Sequence, residues 1–516
     1  MRILFILATL VYLTGSANLM AQKTEHDANY HFKSNSFSVA LKLYSQLQAK
    51  DSSNPIYNYR LGICHLYTNH EPWKALKHLQ LVEEGQKNDP QFYFEIGRAY
   101  LYNYEFENAL ASFEKCAQLS GKNQKIIDIA NLWLKMTINA QTLVNKPLDI
   151  SFINLGKGIN SAMDEITPVI SPDGELLVYT SNQKYDAKLM LYTNSIYLSN
   201  SDDGVFEKGK AFAIISNLDD EFVAGFSRAN DKLFAQPQGY EAFQDIVAVE
   251  RVGKGFKTKT FLNENVNSKG PEIAATESQN GDTLFFSSDR TDGLGGMDIY
   301  YSLKLPTGEW GMARNCGNKI NTANDEDFPQ LSDDGSQLYF CSNGVNSMGG
   351  YDIFKSNINS TTREFTTPIN IGYPLNDVFD NKTIAFSPDQ RYAYISGCRP
   401  EGFGYSDLYR VVFNQEDPSV KILMVSLKTG TPEAKADFNV QDSTIKVTAY
   451  SKGKIIFGTY KYDLGNKQVT LALPPGSYTI EIQGETIEEI DFKITIPDVA
   501  AGSKVERKDV FVKPKK

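Results

Sequence analysis

The sequence predicts a multidomain chain, α-helical first and then all-β, with helical repeats, a five-bladed β-propeller and a small β-sandwich in that order. A short phrase built on Asp-Ile-Tyr returns five times in phase between residues 195 and 409. Small and aromatic residues recur at helical spacing between 24 and 145, and strict apolar alternation around a Pro-Pro-Gly turn marks residues 420–516. Such an internal repeat decides architecture ahead of any single residue. The boundaries that follow are 1–21 for a signal peptide, 24–145 for the helices, 146–415 for the propeller and 420–516 for the sandwich.

The N-terminus has the pattern of a secretory signal. Arg2 supplies the positive start, Ile3 to Leu13 form the apolar run, and cleavage is expected after Ala21. The run is short of the roughly 20 apolar residues that span a bilayer, no later segment is apolar enough, and no cysteine near Ala21 supports a lipoprotein anchor. A net charge of −10, with 41% hydrophobic and 22% charged residues, describes an acidic globular chain. It is a poor match for nucleic acid, whose phosphates need a basic surface, and for anionic membrane surfaces. The cysteines Cys64, Cys116, Cys316, Cys341 and Cys398 are odd in number and scattered, unlike a disulfide framework. Cys64 and Cys116 are expected as small apolar residues in the helix core, and no CxxC or Cys-His spacing suggests zinc.

Within the helical region, Tyr93-x2-Ile96-Gly97-x2-Tyr100 followed by Ala109-x3-Phe113 forms one unit. Leu61-Gly62 and Ala75, with a long turn from Asn69 to Pro72, form the unit before it, and Ala40-x3-Tyr44 is what remains of the first. Small residues let paired helices approach and the aromatics fill the gap between them. The spacing resembles the tetratricopeptide (TPR) repeat, with a closing helix over Lys125–Leu143. The resemblance implies that the first helix of each unit lines a concave face, placing Tyr59, Arg60, Tyr67, Phe94, Arg98 and Tyr102 on or near it. Aromatics beside arginines suit partner recognition. The alternative is that several of them pack against the propeller or inside the helix pairs.

In the propeller region the recurring phrases are Ser195-Ile196-Tyr197, Asp245-Ile246-Val247, Asp298-Ile299-Tyr300, Asp352-Ile353-Phe354 and Asp407-Leu408-Tyr409. Each follows an apolar strand: Leu176–Tyr179, Lys232–Phe234, Thr283–Phe286, Gln337–Phe340 and Tyr392–Ile395. Turns such as Ser171-Pro172-Asp173-Gly174, Ser332-Asp333-Asp334-Gly335 and Ser387-Pro388-Asp389-Gln390 lead in. Gly-rich hairpins (Gly295-Gly296, Gly349-Gly350, Gly402 and Gly404) link the strands in the last three units. Short, evenly spaced aromatic and β-branched strands are the mark of propeller blades, and a lone blade cannot bury both faces. The period leaves room for five blades, with Leu148–Leu155 as the closing strand. The phrase resembles the PD40 (WD40-like, TolB-type) propeller repeat.

After a polar linker over Asn414–Ser419, Val469, Leu471 and Leu473 alternate with Thr470 and Ala472. Pro474-Pro475-Gly476 then turns into Tyr478, Ile480 and Ile482. These signals predict a sandwich. The phrase Leu473–Ile480 resembles the carboxypeptidase regulatory-like (transthyretin-like) domain, an accessory module without peptidase activity.

For chemistry the histidines are informative. His26, His31, His65, His70 and His78 all lie in the helices, which excludes a Ser-His-Asp triad or an imidazole metal site from the propeller. His65, His70 and His78 share no metal-ligand spacing on one face and read as surface or packing residues. Five-bladed propellers can host paired-carboxylate glycosidases, whose acids differ in task and so break the repeat. Here Asp245, Asp298, Asp352 and Asp407 are in register, which points to turn capping. Asp325-Glu326-Asp327 aligns with Asp164-Glu165, Asp220-Glu221, Pro271-Glu272 and Asp380-Asn381, and also reads as repeat structure. Ser201-Asp202-Asp203-Gly204 lacks the ligand spacing and terminal Glu of a calcium loop. No Walker loop or dinucleotide fingerprint is present. No catalytic residue, metal or cofactor is expected.

TPR repeats, a PD40 propeller and a carboxypeptidase regulatory-like sandwich behind a signal peptide resemble the periplasmic OmpA-family proteins of type IX secretion and gliding motility. Family members usually continue into a peptidoglycan-binding OmpA-like domain. This sequence stops at Lys516, so peptidoglycan binding by this chain alone is not carried over. The resemblance implies a non-enzymatic periplasmic adaptor of a Gram-negative bacterium, held at the outer membrane by a barrel protein and contacting other envelope proteins. A glycan-binding or carbohydrate-active propeller, and a TolB-like envelope-integrity factor, are the alternatives.

Overall fold

Helices form first along the chain because capping and close packing both favour them there. The computed structural model describes residues 22–515 apart from 69, 187–190, 203–204, 213–219, 239–243, 254, 333, 360–361, 389–391, 415–420, 439–443, 452–454, 465–466, 475 and 497–504. The expected signal peptide lies outside the described residues. So do Asn69, Asp203, Gly204, Asp333, Asp389, Gln390, Pro475 and nearly all of the 414–419 linker. Seven α-helices occur among the described residues: α1 (22–33), α2 (Phe37–Gln48), α3 (Pro55–Leu66), α4 (Ala75–Gln80), α5 (Pro90–Tyr102), α6 (Phe106–Leu119) and α7 (Gln124–Val144). Asn54 and Asp89 cap α3 and α5 through side-chain oxygens, each followed by proline at the first helical position. They pair as α1/α2, α3/α4 and α5/α6, and α7 closes the stack. A Cβ at Gly97 would sit 2.8 Å from the Phe113 ring, which is why the third pair needs glycine there. The long turn of the second repeat becomes a 3-10 turn over Pro72–Lys74, leaving α4 only six residues. No described helix is long and apolar enough to cross a membrane.

The propeller is built from five antiparallel sheets. Their innermost strands are Glu165–Ile170, Asp220–Phe226, Glu272–Glu277, Glu326–Leu331 and Ile384–Phe386. The first four carry a register shift near the axis, where a bulge adds twist to a crowded strand. The closing strand Ile150–Asn154 pairs antiparallel with Asp407–Phe413, the third strand of the fifth blade. The segment that precedes the first blade thus supplies the outermost strand of the last one and closes the ring.

The in-register acids tie the hairpin of a blade to its outer strand. Asp298 accepts from the Gly295 amide (3.2 Å) and the Asn315 side chain (2.8 Å). Asp407 repeats this with Gly404 (3.3 Å) and Asn154 (2.7 Å), and Asp352 with the Met348 amide (3.0 Å) and Asn370. Asn321, Asn376 and Asn160 then bond both backbone groups of Ile299, Ile353 and Leu408. Glu165, Glu272 and Glu326 are equally repetitive. Each is buried and accepts from a serine of the neighbouring strand, Ser181, Ser288 and Ser342, at 2.6–2.7 Å.

Asp327 departs from the expectation that the whole acidic cluster is repeat structure. Its counterparts in the other blades are Ile166, Phe222, Ile273 and Lys382. It is buried, accepts from Ser287 and the Phe328 amide, and burial pushes its pKa up to about 6.

The helices and the propeller belong to one compact unit ending at Phe413, and residues from 414 onward form a second. Met348 and Val378 of the propeller are buried in the same apolar cluster as Leu79, Phe92, Ile96 and Phe113 of the helices. The second unit is a sandwich of two four-stranded sheets, with Lys421–Thr431 central in one and Gly476–Gln483 in the other. Val469, Leu471, Leu473, Tyr478, Ile480 and Ile482 point into its core, and the strand Val505–Phe511 joins Lys421–Thr431 in parallel.

Candidate functional site in the cleft between helices and propeller

The helices dock on the hairpin side of the fourth and fifth blades. Tyr102 of α5 packs on Phe379 with ring centroids 5.0 Å apart, Trp73 meets the same ring at 6.4 Å, and Tyr104 meets Tyr373 at 6.2 Å. Asn139 of α7 donates to the Ser347 carbonyl at 3.3 Å. The Gly-rich hairpin of the fourth blade is what lets α5 come this close. A Cβ at Gly349 would lie 2.6 Å from the Val378 carbonyl oxygen and 3.2 Å from the Leu101 side chain.

Docking leaves a cleft of about 360 Å³, within the size range of ligand sites. Tyr67, Arg98, Tyr102 and Trp133 form its helical wall, and Asn324, Tyr351 and Asp380 are on the propeller wall. Arg98 is the charge at its centre. It pairs with Glu95 at 3.2 Å, donates to the Tyr102 hydroxyl at 3.1 Å, and its guanidinium carbon lies 4.7 Å from the Tyr67 ring centroid and 5.1 Å from that of Trp133. Burial opposes its charge, but Tyr102, Glu95 and Tyr67 outweigh burial and hold its pKa above the ordinary arginine value. Burial, then the Glu95 charge, pushes the Tyr67 hydroxyl up, so it stays a donor to Glu95 at 2.8 Å. The Arg98 Nε is buried and has no hydrogen-bond partner among the described residues.

The six residues singled out by the repeat divide between the two arrangements expected, an open recognition face and packing inside the helix pairs or against the propeller. Of these, Tyr67 alone is exposed. Tyr59 stacks on Phe92 at 6.5 Å, Arg60 lies over the Phe32 and Tyr44 rings and donates to the Tyr44 hydroxyl, and Phe94 packs among Phe113 and Trp133. These ring contacts lie within the helix stack, and Arg60 is engaged there by the Tyr44 hydroxyl. Tyr67, Arg98 and Tyr102 do converge, but on the propeller-facing cleft. Sequence reasoning missed Trp133, Tyr351, Phe379 and Asp380. A signal was present in Met348, Val378 and Phe379, apolar residues in hairpins and loops where polar turn residues are the rule.

No family model matches this chain. Over 112 residues it is 27% identical to the E3 ubiquitin-protein ligase CHIP of Arabidopsis thaliana, covering 21% of this chain and 38% of that protein. The chain thus spans well under half the length of this curated relative. Among solved structures it is similar to PcrH in complex with the chaperone binding region of PopD (16% identity, TM-score 0.21, covering 24% of this chain and 95% of that one). It is also similar to TolB from Acinetobacter baumannii (15%, TM-score 0.32, covering 56% and 70%) and to Trypanosoma rangeli sialidase with the inhibitor DANA (9%, TM-score 0.33, covering 67% and 89%). The N-terminal part is TPR-like and the middle is a propeller, as its own helix pairs and strand registers establish.

The propeller axis offers a contrast to the cleft. Its pocket, lined by Thr167, Gly225, Arg228, Thr276, Phe328 and Thr383, holds about 20 Å³, room for about one water molecule. The described residues contain no group of three or more His, Cys, Asp or Glu side chains arranged for a metal ion. All five cysteines are free thiols, with Cys64 and Cys116 fully buried in the helices.

Proposed function

We propose that the protein is a non-enzymatic adaptor that grips a polar segment of another protein in the cleft between its helices and its propeller. The observation that carries this reading is the 360 Å³ cleft made jointly by both modules and lined by Tyr67, Arg98, Tyr102, Tyr351 and Asp380. Aromatic and charged side chains on both walls suit recognition of a protein segment. The axial pocket of about 20 Å³ is too small for a sugar ring, which weighs against a glycan-processing propeller. Our reading sets the adaptor in the periplasm of a Gram-negative bacterium, which the resemblance in domain order supports. There it is held at the inner face of the outer membrane by a barrel protein and serves type IX secretion or gliding motility.

The test is affinity purification of the tagged chain from detergent-solubilised envelopes, alongside a Tyr351→Ala/Asp380→Ala variant of the cleft's propeller wall. The expected result is an outer-membrane barrel protein with the native chain and its loss with the variant. Recovery of no envelope protein refutes the adaptor reading. A deletion strain that leaks periplasmic contents while secreting and moving normally would instead assign a TolB-like role in envelope integrity.

A further inference from the structure

Three of the five histidines, which share no metal-ligand spacing in sequence, meet in space. The His65 ring on α3 stacks on that of His78 on α4, with centroids 5.7 Å apart and planes within 9°, and on that of His70 in the intervening turn at 6.5 Å and 17°. His65 is buried, with 6% of its surface exposed. His70 in turn sets its ring edge-on against Tyr405 of the fifth blade at 4.9 Å, so the stack bridges the second helical repeat and the propeller.

The hydrogen bonds fix where the next proton goes. His65 Nδ1 lies 3.0 Å from the His70 carbonyl oxygen, and a carbonyl only accepts, so Nδ1 carries the hydrogen. Asn58 donates its amide nitrogen to the Ser52 and Asn54 carbonyls, which turns its oxygen toward His78 Nδ1 at 3.0 Å and makes that nitrogen a donor too. Both rings can therefore gain a proton only at Nε2, and gaining it creates like charges in a buried stack. Lys74 and Lys77 add to that positive charge. Opposing it is the Glu71 carboxylate, 3.6 Å from His70 and already paired with Lys74. On the propeller side Tyr405 faces Asp164 and Tyr192, and Cys398 bonds the backbone at Glu71. Burial holds His65 below the ordinary histidine value in spite of its bond to the His70 carbonyl and the Glu71 charge, and burial with the His65, Lys77 and Lys74 charges holds His78 down at about 4.

We propose that the His65/His70/His78 stack is an acid-released latch that clamps the second helical repeat onto the propeller while His65 and His78 are neutral and frees it when they charge. Leu66, Tyr67 and Pro72, adjacent to the stack in sequence, line the cleft, so release widens the cleft mouth. The latch stands on the stack's own geometry, whatever the cleft binds.

Hydrogen exchange on the full chain at about pH 7.5 and about pH 5, corrected for intrinsic exchange chemistry, tests it. Peptides over 62–79 and 398–406 are expected to exchange about tenfold faster in acid, the factor that corresponds to one pKa unit, while the second and third blades stay unchanged. Equal protection of the joint at both pH values overturns the latch. A His65→Gln/His78→Gln variant keeps amide donors but cannot charge, and its joint is expected to stay closed in acid; acid opening retained in that variant also overturns the proposal. Should that variant fail to fold, the native chain with His26→Gln/His31→Gln decides, because loss of acid opening there would move the effect away from the stack.

Discussion

The Tyr102–Phe379 pair is a central contact in the docking of the helices on the propeller, and a double-mutant cycle measures it. The two rings sit 5.0 Å apart at 55°, with Tyr102 buried and Phe379 half-buried. Full truncation of a core phenylalanine costs about 3–5 kcal/mol, so Phe379→Ala is expected to cost about 2 kcal/mol at its partial burial. Tyr102→Ala costs more, because it also removes the hydroxyl that accepts from Arg98. The coupling between the two is expected at about 0.5–1.5 kcal/mol, the range for tilted aromatic pairs. Urea unfolding followed by tryptophan fluorescence reads this out cleanly. Trp73, Trp133 and Trp310 all lie before Phe413, so the signal comes from the first compact unit and ignores the sandwich. An unchanged midpoint in Phe379→Ala, or single effects that add to within about 0.3 kcal/mol in the double variant, would refute direct docking through this pair.

Three further outcomes are expected. Asp327 has a folded pKa of about 6 against an ordinary 3.8, so its charge is disfavoured by folding, and the cost is absent below pH 3.8 and complete above about 6. Asp327→Asn should therefore stabilise the first unit by up to about 3 kcal/mol at neutral pH and have no effect near pH 3.5, as thermal unfolding across pH will show. Gly349→Ala drives a methyl group into the Val378 carbonyl and should cost about 1–3 kcal/mol, lowering the same urea midpoint. Burial holds the thiols of Cys64 and Cys398 up at about 12. Alkylation of the folded chain at pH 8 should be slow at both, with mass spectrometry showing rapid labelling after denaturation.

Much of the fold is legible in the residues because each blade states its own geometry. Asp298, Asp352 and Asp407 sit in phase since each must cap the same hairpin, and Gly97 and Phe113 sit at the spacing that one helix contact dictates. The cleft is not legible, because it arises where two repeats with different periods meet. Arg98 and Tyr102 belong to a helical pattern, Tyr351 and Asp380 to a strand pattern, and neither period carries information about the other. The histidines show the same limit. His65, His70 and His78 have unrelated spacings along the chain, and only the turn between α3 and α4 folds them into one stack.

The closing strand has a mechanical consequence. Ile150 lies opposite Phe413, so the chain enters the fifth blade from α7 and leaves it toward residue 421 at the same end of one antiparallel pair. Tension between whatever holds the helices and whatever holds the sandwich would load this pair one hydrogen bond at a time, peeling it like a zipper instead of shearing all its bonds together. The seam that completes the propeller is therefore also a point of entry for force, backed by the docking of the helices on the fourth and fifth blades.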